Sequence, residues 1–237
     1  MYYCIADNIN FMRCTAKSGD SKEAFMQNTS RRRNENKAVI LKMVLMACLI
    51  SIVIIFQIMG TFIKISPTTS VSLVLIPIVI GSILLGPISG AVLGAVFGIV
   101  VLASGINGTE VFTATLWQNQ PVETAILCIG KGALAGLCSG LVYKLLSKFN
   151  DLVAVFAASA VAPIVNTGVF ILGGLFMVNE TLNSNFVNGT TLIYYLVIVC
   201  AGFNFIAEFI LNIVVSPAIK TIINIGKKTL FSKADNK

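Results

Sequence analysis

Apolar segments long enough to cross a lipid bilayer follow one another along most of this chain of 237 residues. A helix that spans the hydrocarbon core needs about 20 predominantly apolar residues. Only 11% of the residues are charged, and the mean hydropathy is +0.89. A soluble fold of this length leaves part of its chain surface in water and could not hide so much apolar surface. The sequence therefore predicts an integral membrane protein.

We predict an all-α bundle of six transmembrane helices. The predicted spans are residues 38–59, 70–85, 88–104, 123–146, 152–177 and 192–215. The second span is short and contains Pro77, which membrane helices tolerate when neighbouring helices satisfy the freed carbonyl. The outer connections, at 105–122 and 178–191, are polar with aromatic insertions. Such segments are typical of lids over a helix bundle, although a solvated connector fits as well.

Lysine and arginine residues predict the orientation of these spans. Basic residues flank the start of the first span and follow the fourth and the sixth, whereas Lys64 is the only basic residue in the connections on the other side. The three groups are Arg31–Arg33 with Lys37 and Lys42, then Lys144 with Lys148, and finally Lys220, Lys227, Lys228 and Lys233. Cytoplasmic loops carry an excess of these residues, so we expect both termini to be cytoplasmic.

The two ends of the chain are polar. Residues 1–36 lack a core pattern and predict a disordered cytoplasmic tail, in which Met12 and Met26 are alternative starts. Residues 37–226 then form the transmembrane domain, and 227–237 form a basic cytoplasmic tail. The net charge of +7 does not predict nucleic-acid binding, because the cations lie in the tails and at helix ends, as is typical of membrane flanks.

Glycine recurs at every fourth residue in the stretch GPISGAVLGAVFG and again in the fourth span. The glycines are Gly86, Gly90, Gly94 and Gly98 in the first stretch, and Gly132, Gly136 and Gly140 in the second. A phosphate-binding loop would need a closing lysine and a preceding strand, and the first stretch has neither. Spacing by four instead places the glycines on one helix face, where a second backbone can approach closely. We expect these faces to pack helices, or alternatively to slide against a partner.

Polar side chains inside the predicted spans are candidates for substrate binding, because they are costly in a membrane and need a reason to be there. The candidates are Lys131, Asn166, Thr167, Asn204 and Glu208, with Gln57 near the outer end of the first span and Trp117 in the first outer connection. Together they predict a polar pocket that opens to the outer side. The alternatives are snorkelling for Lys131, an interhelical hydrogen bond for Asn166 and a structural ion pair for Glu208.

The sequence contains no recognisable catalytic or metal-binding set. It has no histidine, which removes the commonest metal ligand and general base. The six cysteines show no paired spacing, and no HExxH, GxSxG or paired carboxylates occur. We therefore expect no catalytic residues, no metal and no cofactor, and we do not expect an enzyme.

Four motifs follow one another along the spans. They are LGPISGAVLGAVFG in spans two and three, KGALAGLCSGLVYK in span four, VNTGVFILGG in span five and NFIAEFILNIVVSPAI in span six. Their order and spacing over residues 38–226 resemble the substrate-binding S component of energy-coupling factor (ECF) vitamin transporters. This resemblance implies a vitamin-capture subunit in the plasma membrane of a prokaryote. Its partners would be a transmembrane T component and two ATPase subunits that hydrolyse ATP.

The resemblance also implies roles for individual residues. Ala47 and Ser51 match the small-xxx-small face with which the family contacts the T component, although Ser51 replaces the more usual second alanine. The family's pocket draws on spans four to six and the first outer connection, where Lys131, Asn166 and Asn204 lie.

Our leading hypothesis is thus an S component whose lysine favours an anionic ligand, and pantothenate, folate and a flavin are all plausible. The alternatives are a stand-alone secondary transporter of a small polar solute, with Glu208 as the buried acid of an ion path, and a non-catalytic membrane scaffold subunit.

Overall fold

The computed structural model describes residues 39–60, 73–185 and 191–235, together with positions 26, 36–37, 64–66, 69–70 and 187. The predicted disordered tail at 1–36 therefore lies almost entirely outside the described residues. The helices of the described part are α1 (Val39–Gly60), α2 (Leu75–Leu84), α3 (Pro87–Ile106), α4 (Val111–Asn119), α5 (Pro121–Leu146), α6 (Asp151–Phe176), α7 (Asn179–Asn185), α8 (Leu192–Tyr194) and α9 (Phe203–Asp235). A π-helical segment, Tyr195–Gly202, joins α8 to α9, and two short strands, β1 (Lys64–Ser66) and β2 (Thr69–Ser70), pair antiparallel between α1 and α2.

Within the described residues, five segments are long and apolar enough to cross a membrane. They are α1, α3, α5, α6 and the part of α9 from Asn204 to Ile225. The predicted spans 38–59, 88–104, 123–146 and 152–177 agree with α1, α3, α5 and α6 to within two residues at each end. Hydropathy located these four helices well because each apolar run ends in a polar or turn-forming segment.

The two remaining spans differ from their predictions. Helix α2 has only 10 residues, and Ser70, the first residue of the predicted span 70–85, belongs to β2 instead. The predicted span 192–215 is displaced, because residues 192–202 form α8 and the π-helical segment while the apolar part of α9 continues to Ile225. The apolar run is continuous across this junction, so hydropathy could not show where the long helix begins.

The two predicted outer connections are largely helical. Residues 105–122 contain α4, and residues 178–191 contain α7. An apolar cluster joins these helices to α5, α8 and the π-helical segment: Phe112, Leu116, Leu127, Val178, Leu182, Leu192, Tyr195 and Leu196. We call this end of the bundle the cap end. The opposite end, with the α2–α3 turn at Gly86 and the α5–α6 turn at 147–150, is the turn end.

Helices α3 and α5 form an antiparallel pair whose backbones touch. A methyl group added at Gly94 would collide with the carbonyl oxygen of Gly132, and one added at Gly136 would collide with the carbonyl oxygen of Gly90. Further along the pair, Gly98 faces the backbone of Cys128, and Gly140 faces Pro87 at the turn end. The missing side chains thus allow two helices to approach at backbone distance.

Gly86 does not belong to this packing face, contrary to the prediction. It is the N-cap of α3 with φ +103°, and a Cβ atom there would have no heavy atom within 4 Å. Glycine adopts this conformation without steric cost, so Gly86 permits the sharp turn from α2 into Pro87.

The core of the bundle lies between α2, α6 and α9. Small residues of α6, among them Ala154, Ala158 and Ala162, pack against Ile219 and Ile223 of α9. Helix α1 is more peripheral, since only 11% of its apolar window is buried against 28–39% in the other four. Its buried side carries Leu49 and Val53, which pack with α2 and α3.

Candidate functional site

Lys131 extends into the bundle between α3 and α6. Its Nζ atom lies 6.0 Å from the centroid of the Phe97 ring and 5.4 Å from that of Phe170. An ammonium group within about 6 Å of a ring face is attracted by the ring quadrupole. Phe97 is itself buried in α3. This position favours a pocket for Lys131 over the snorkelling alternative, in which the ammonium would turn to the membrane surface.

Asn166 lies at the level of Lys131 on the neighbouring helix. The Ser139 hydroxyl donates a hydrogen bond of 3.0 Å to the Ala158 carbonyl, which fixes the register of the antiparallel α5–α6 pair. Eight residues from this bond toward the cap end lie Lys131 on α5 and Asn166 on α6. Asn166 is buried, with 7% of its surface exposed, and Phe170 follows it by one turn on the same face. Lys131 and Asn166 therefore lie at one level of the α5–α6 pair, one helical turn from Phe170.

Thr167 shares neither the position nor the burial of Asn166. Successive residues of an α-helix are turned by about 100°, and Thr167 is only half-buried. The structure thus separates two residues that the sequence grouped together.

A row of buried polar side chains follows the inner face of α9. The Asn204 amide donates to Glu208 Oε1 at 3.3 Å, and the Asn212 amide donates to the Glu208 carbonyl at 2.8 Å. Glu208 and Asn212 are each 2% exposed. The same face continues into Ile219, which packs against α6. We call Asn204, Glu208 and Asn212 the α9 polar row, and its continuity with Ile219 directs it toward the interior of the bundle.

The α9 polar row lies closer to the cap end than the sequence predicted. Because the apolar part of α9 begins at Asn204, the row lies within its first nine residues, over which the helix rises about 12 Å. In the predicted span 192–215, by contrast, Asn204 would lie at the middle, with Glu208 beyond it. Lys131 and Asn166 are each ten residues from the cap-side ends of α5 and α6, or about 15 Å. Polar groups of three helices thus lie in the same half of the bundle.

The cap adds polar residues that the sequence analysis missed. The Thr113 hydroxyl donates to Glu110 Oε2 at 3.1 Å, and the Thr181 hydroxyl donates to Gln120 Oε1 at 3.1 Å. The second bond ties α7 to the α4–α5 junction. Glu110 is the N-cap residue of α4, at the cap end. In the sequence these residues resemble those of any polar connector, so only their contacts distinguish them.

The last two predicted site residues differ in their positions. Gln57 is 2% exposed and lies one turn beyond Val53, which packs in one cluster with Phe97 and Val101. It therefore approaches the site from the side of α3. Trp117 is partly exposed, whereas the buried face of α4 carries Phe112, Thr113 and Leu116. The structure does not bring Trp117 into the group around Lys131.

The resulting arrangement combines a cation, aromatic rings and acceptor oxygens inside an apolar bundle. This combination is typical of a small-molecule site, in which a few polar groups orient a ligand within apolar walls. Among the described residues, no group of three metal-ligating side chains occurs.

Residues 41–220 match the protein family described as the substrate-specific component of ECF transporters. The chain belongs to this family. No curated protein sequence matches it significantly. As an ECF substrate-specific component with five apolar helices, it is a multi-pass membrane protein and a substrate-capture subunit of a transporter. The match confirms the resemblance inferred from the four motifs, and the matched residues include every residue placed in the site above.

Proposed function

We propose that this ECF substrate-specific component captures a vitamin or related micronutrient, of the pantothenate, folate or riboflavin class, for ATP-driven import. The observation that carries the proposal is the inward position of Lys131 between Phe97 and Phe170, at the level of Asn166. A lysine ammonium group placed in this way can donate charge-assisted hydrogen bonds to a carboxylate or phosphate, and such bonds are stronger than those between neutral groups.

The distribution of charge supports a binding site open to the outer side. Lys144 and Lys148 lie at the turn end, and Lys220 lies on the part of α9 that packs at the same end. Glu110, Glu123 and Glu180 belong to elements of the cap end. With the turn end in the cytoplasm, as the positive-inside rule favours, both termini are cytoplasmic and the cap faces outward.

This orientation requires α2 to provide a sixth crossing. A helix of 10 residues rises about 15 Å, which is half the hydrocarbon thickness of about 30 Å. Most of α2 is nevertheless buried, with seven of its residues inside the protein. A short segment crosses the membrane when protein rather than lipid surrounds its ends, and this enclosure supports six crossings.

Energy would come from partner subunits, a T component and two ATPases, and α1 provides the surface for the first of them. Ala47 and Ser51 are both exposed on α1. The Ser51 hydroxyl donates to the Ala47 carbonyl at 3.0 Å, so its polar group is satisfied within the helix. The resulting small, smooth surface allows close helix–helix contact.

Uptake measurements test this proposal. Cells that express the chain with a T component and both ATPase subunits should accumulate the radiolabelled vitamin identified by mass spectrometry of the purified protein. Cells in which the ATPases carry a disabled phosphate-binding lysine should not accumulate it. Uptake that persists without these partners would indicate a secondary transporter, and a purified protein that carries and binds no small molecule would indicate a scaffold subunit.

A further inference from the structure

The buried side-chain atoms without hydrogen-bond partners in this site are oxygens. Among the described residues they include the amide oxygens of Gln57, Asn166, Asn204 and Asn212. Buried polar atoms are usually hydrogen-bonded, so several unsatisfied ones in one region call for an explanation. Each of these oxygens accepts a hydrogen bond and cannot donate one.

The hydrogen bonds of the α9 polar row determine which end of each amide faces the site. The nitrogen atoms of Asn204 and Asn212 both donate to acceptors of Glu208. If either amide were flipped, its oxygen would face an oxygen of Glu208, and both atoms are acceptors. The amide oxygen of each asparagine is therefore the atom left without a partner. The row therefore presents acceptors, and a ligand that satisfies them has to supply N–H or O–H groups.

Lys131, on α5, has the opposite hydrogen-bonding character to the amide oxygens. Its ammonium group only donates, and it rests on the Phe97 and Phe170 rings. Helix α6, which carries the buried Asn166, packs against both α5 and α9. Lys131 lies ten residues from the cap-side end of α5, and the α9 polar row starts at the cap-side end of the apolar part of α9. The cation and the acceptors therefore lie in the same, cap-side half of the bundle.

We propose that the ligand of this site is bifunctional, with one anionic group and several N–H or O–H donors. Its anionic group pairs with Lys131, and its donors reach Asn166 and the α9 polar row. Hydroxy acids and amido acids have this chemistry, as do phosphates with a donor-bearing body. Acids without N–H or O–H donors lack the second feature, and neutral or cationic compounds lack the anionic group. This inference rests on the proposed function, because it presumes that the site holds the transported ligand.

Matched ligand pairs test the two halves separately. The full-length chain in lipid nanodiscs is titrated with pantothenate and panthenol, which differ by a carboxylate and a hydroxymethyl group, and with riboflavin 5′-phosphate and riboflavin. Folate, hexanoate and thiamine complete the panel as an acid with donors, an acid without donors and a cation. Thermal shift and isothermal titration calorimetry report binding.

We expect binding only from pantothenate, riboflavin 5′-phosphate or folate, and the neutral partner of a binding pair should bind at least about tenfold more weakly. Lys131→Met should abolish this preference, while Lys131→Arg retains it. Lys144→Met, an exposed lysine of the same helix, serves as the control and should bind like the wild type.

Two outcomes separate this inference from the proposed function. Equal binding of both members of a pair, or binding of hexanoate or thiamine, would overturn the bifunctional ligand while leaving vitamin capture intact. A preference that persists in a folded Lys131→Met protein would also overturn it. If no member of the panel binds, the proposed capture of these vitamins fails together with the inference.

Discussion

Lys131 and Asn166 lie at one level of the antiparallel α5–α6 pair, each eight residues from the hydrogen bond between Ser139 and Ala158. The backbone contact of α3 with α5 brings Phe97 of α3 to the same level, where its ring centroid lies 6.0 Å from the Lys131 Nζ atom. The packing of the glycine faces therefore affects the position of the polar residues. Close packing of α3 on α5 sets the depth at which the lysine meets its aromatic neighbours.

The first prediction concerns the stability of the α3–α5 contact. Gly94→Ala should lower the free energy of unfolding by roughly 1–3 kcal/mol, as overpacking does in a dense core, because the new methyl group meets the carbonyl oxygen of Gly132. Thermal unfolding in detergent measures the change. Gly130→Ala is the matched control, since no heavy atom lies within 4 Å of its added Cβ, and it should not destabilise the protein. Equal effects of both substitutions would contradict backbone contact at Gly94.

The second prediction separates a binding role of Asn166 from a structural one. Its amide oxygen is buried and has no hydrogen-bond partner among the described residues, so Asn166→Leu should leave the ligand-free melting temperature unchanged or raise it. The same variant should weaken ligand binding by about tenfold, since a buried donor on the ligand loses its acceptor. Asn119→Leu, on the exposed side of α4, is the control. A lower melting temperature with unchanged affinity would show that Asn166 serves the fold.

Hydropathy predicted four of the membrane helices because their apolar runs are bounded by turns. It misplaced the last one, since the π-helical segment Tyr195–Gly202 and α9 are both apolar and only their hydrogen bonding differs. That displacement changed the depth of Asn204 and Glu208. The cap helices α4 and α7 escaped prediction because their stability comes from a cluster with residues distant in the sequence.

The site residues were predictable as a group but not one by one. Polarity within an apolar run identified Lys131, Asn166 and Glu208, and the structure places them in the same half of the bundle. Polarity could not separate Asn166 from Thr167, because burial depends on the rotation of α6 against its neighbours. Phe97 and Phe170 look like ordinary apolar residues of a span, and only their distance from Lys131 gives them a role.

The third prediction concerns the cap. Thr181→Val removes the hydrogen bond to Gln120, which is worth about 0.5–1.5 kcal/mol, so ligand dissociation should accelerate by roughly 2- to 10-fold. Dissociation of bound radiolabelled ligand after dilution measures the rate. Ser184→Ala is the control. In the described part of the chain, the Ser184 hydroxyl donates only to backbone carbonyls of its own helix, α7. An unchanged dissociation rate for Thr181→Val would mean that this contact does not retain the ligand.

The fourth prediction separates capture from energisation. Ala47→Trp and Ser51→Trp place a bulky ring on the small, exposed surface of α1, which should prevent a partner helix from approaching. We expect ATP-dependent uptake to fall at least about tenfold while ligand binding by the isolated chain stays within about twofold of the wild type. Ile164→Trp, at an exposed position of α6, should affect neither measurement. Normal uptake by both α1 variants would place the T-component contact on another surface, whereas loss of ligand binding in them would show that α1 shapes the site itself.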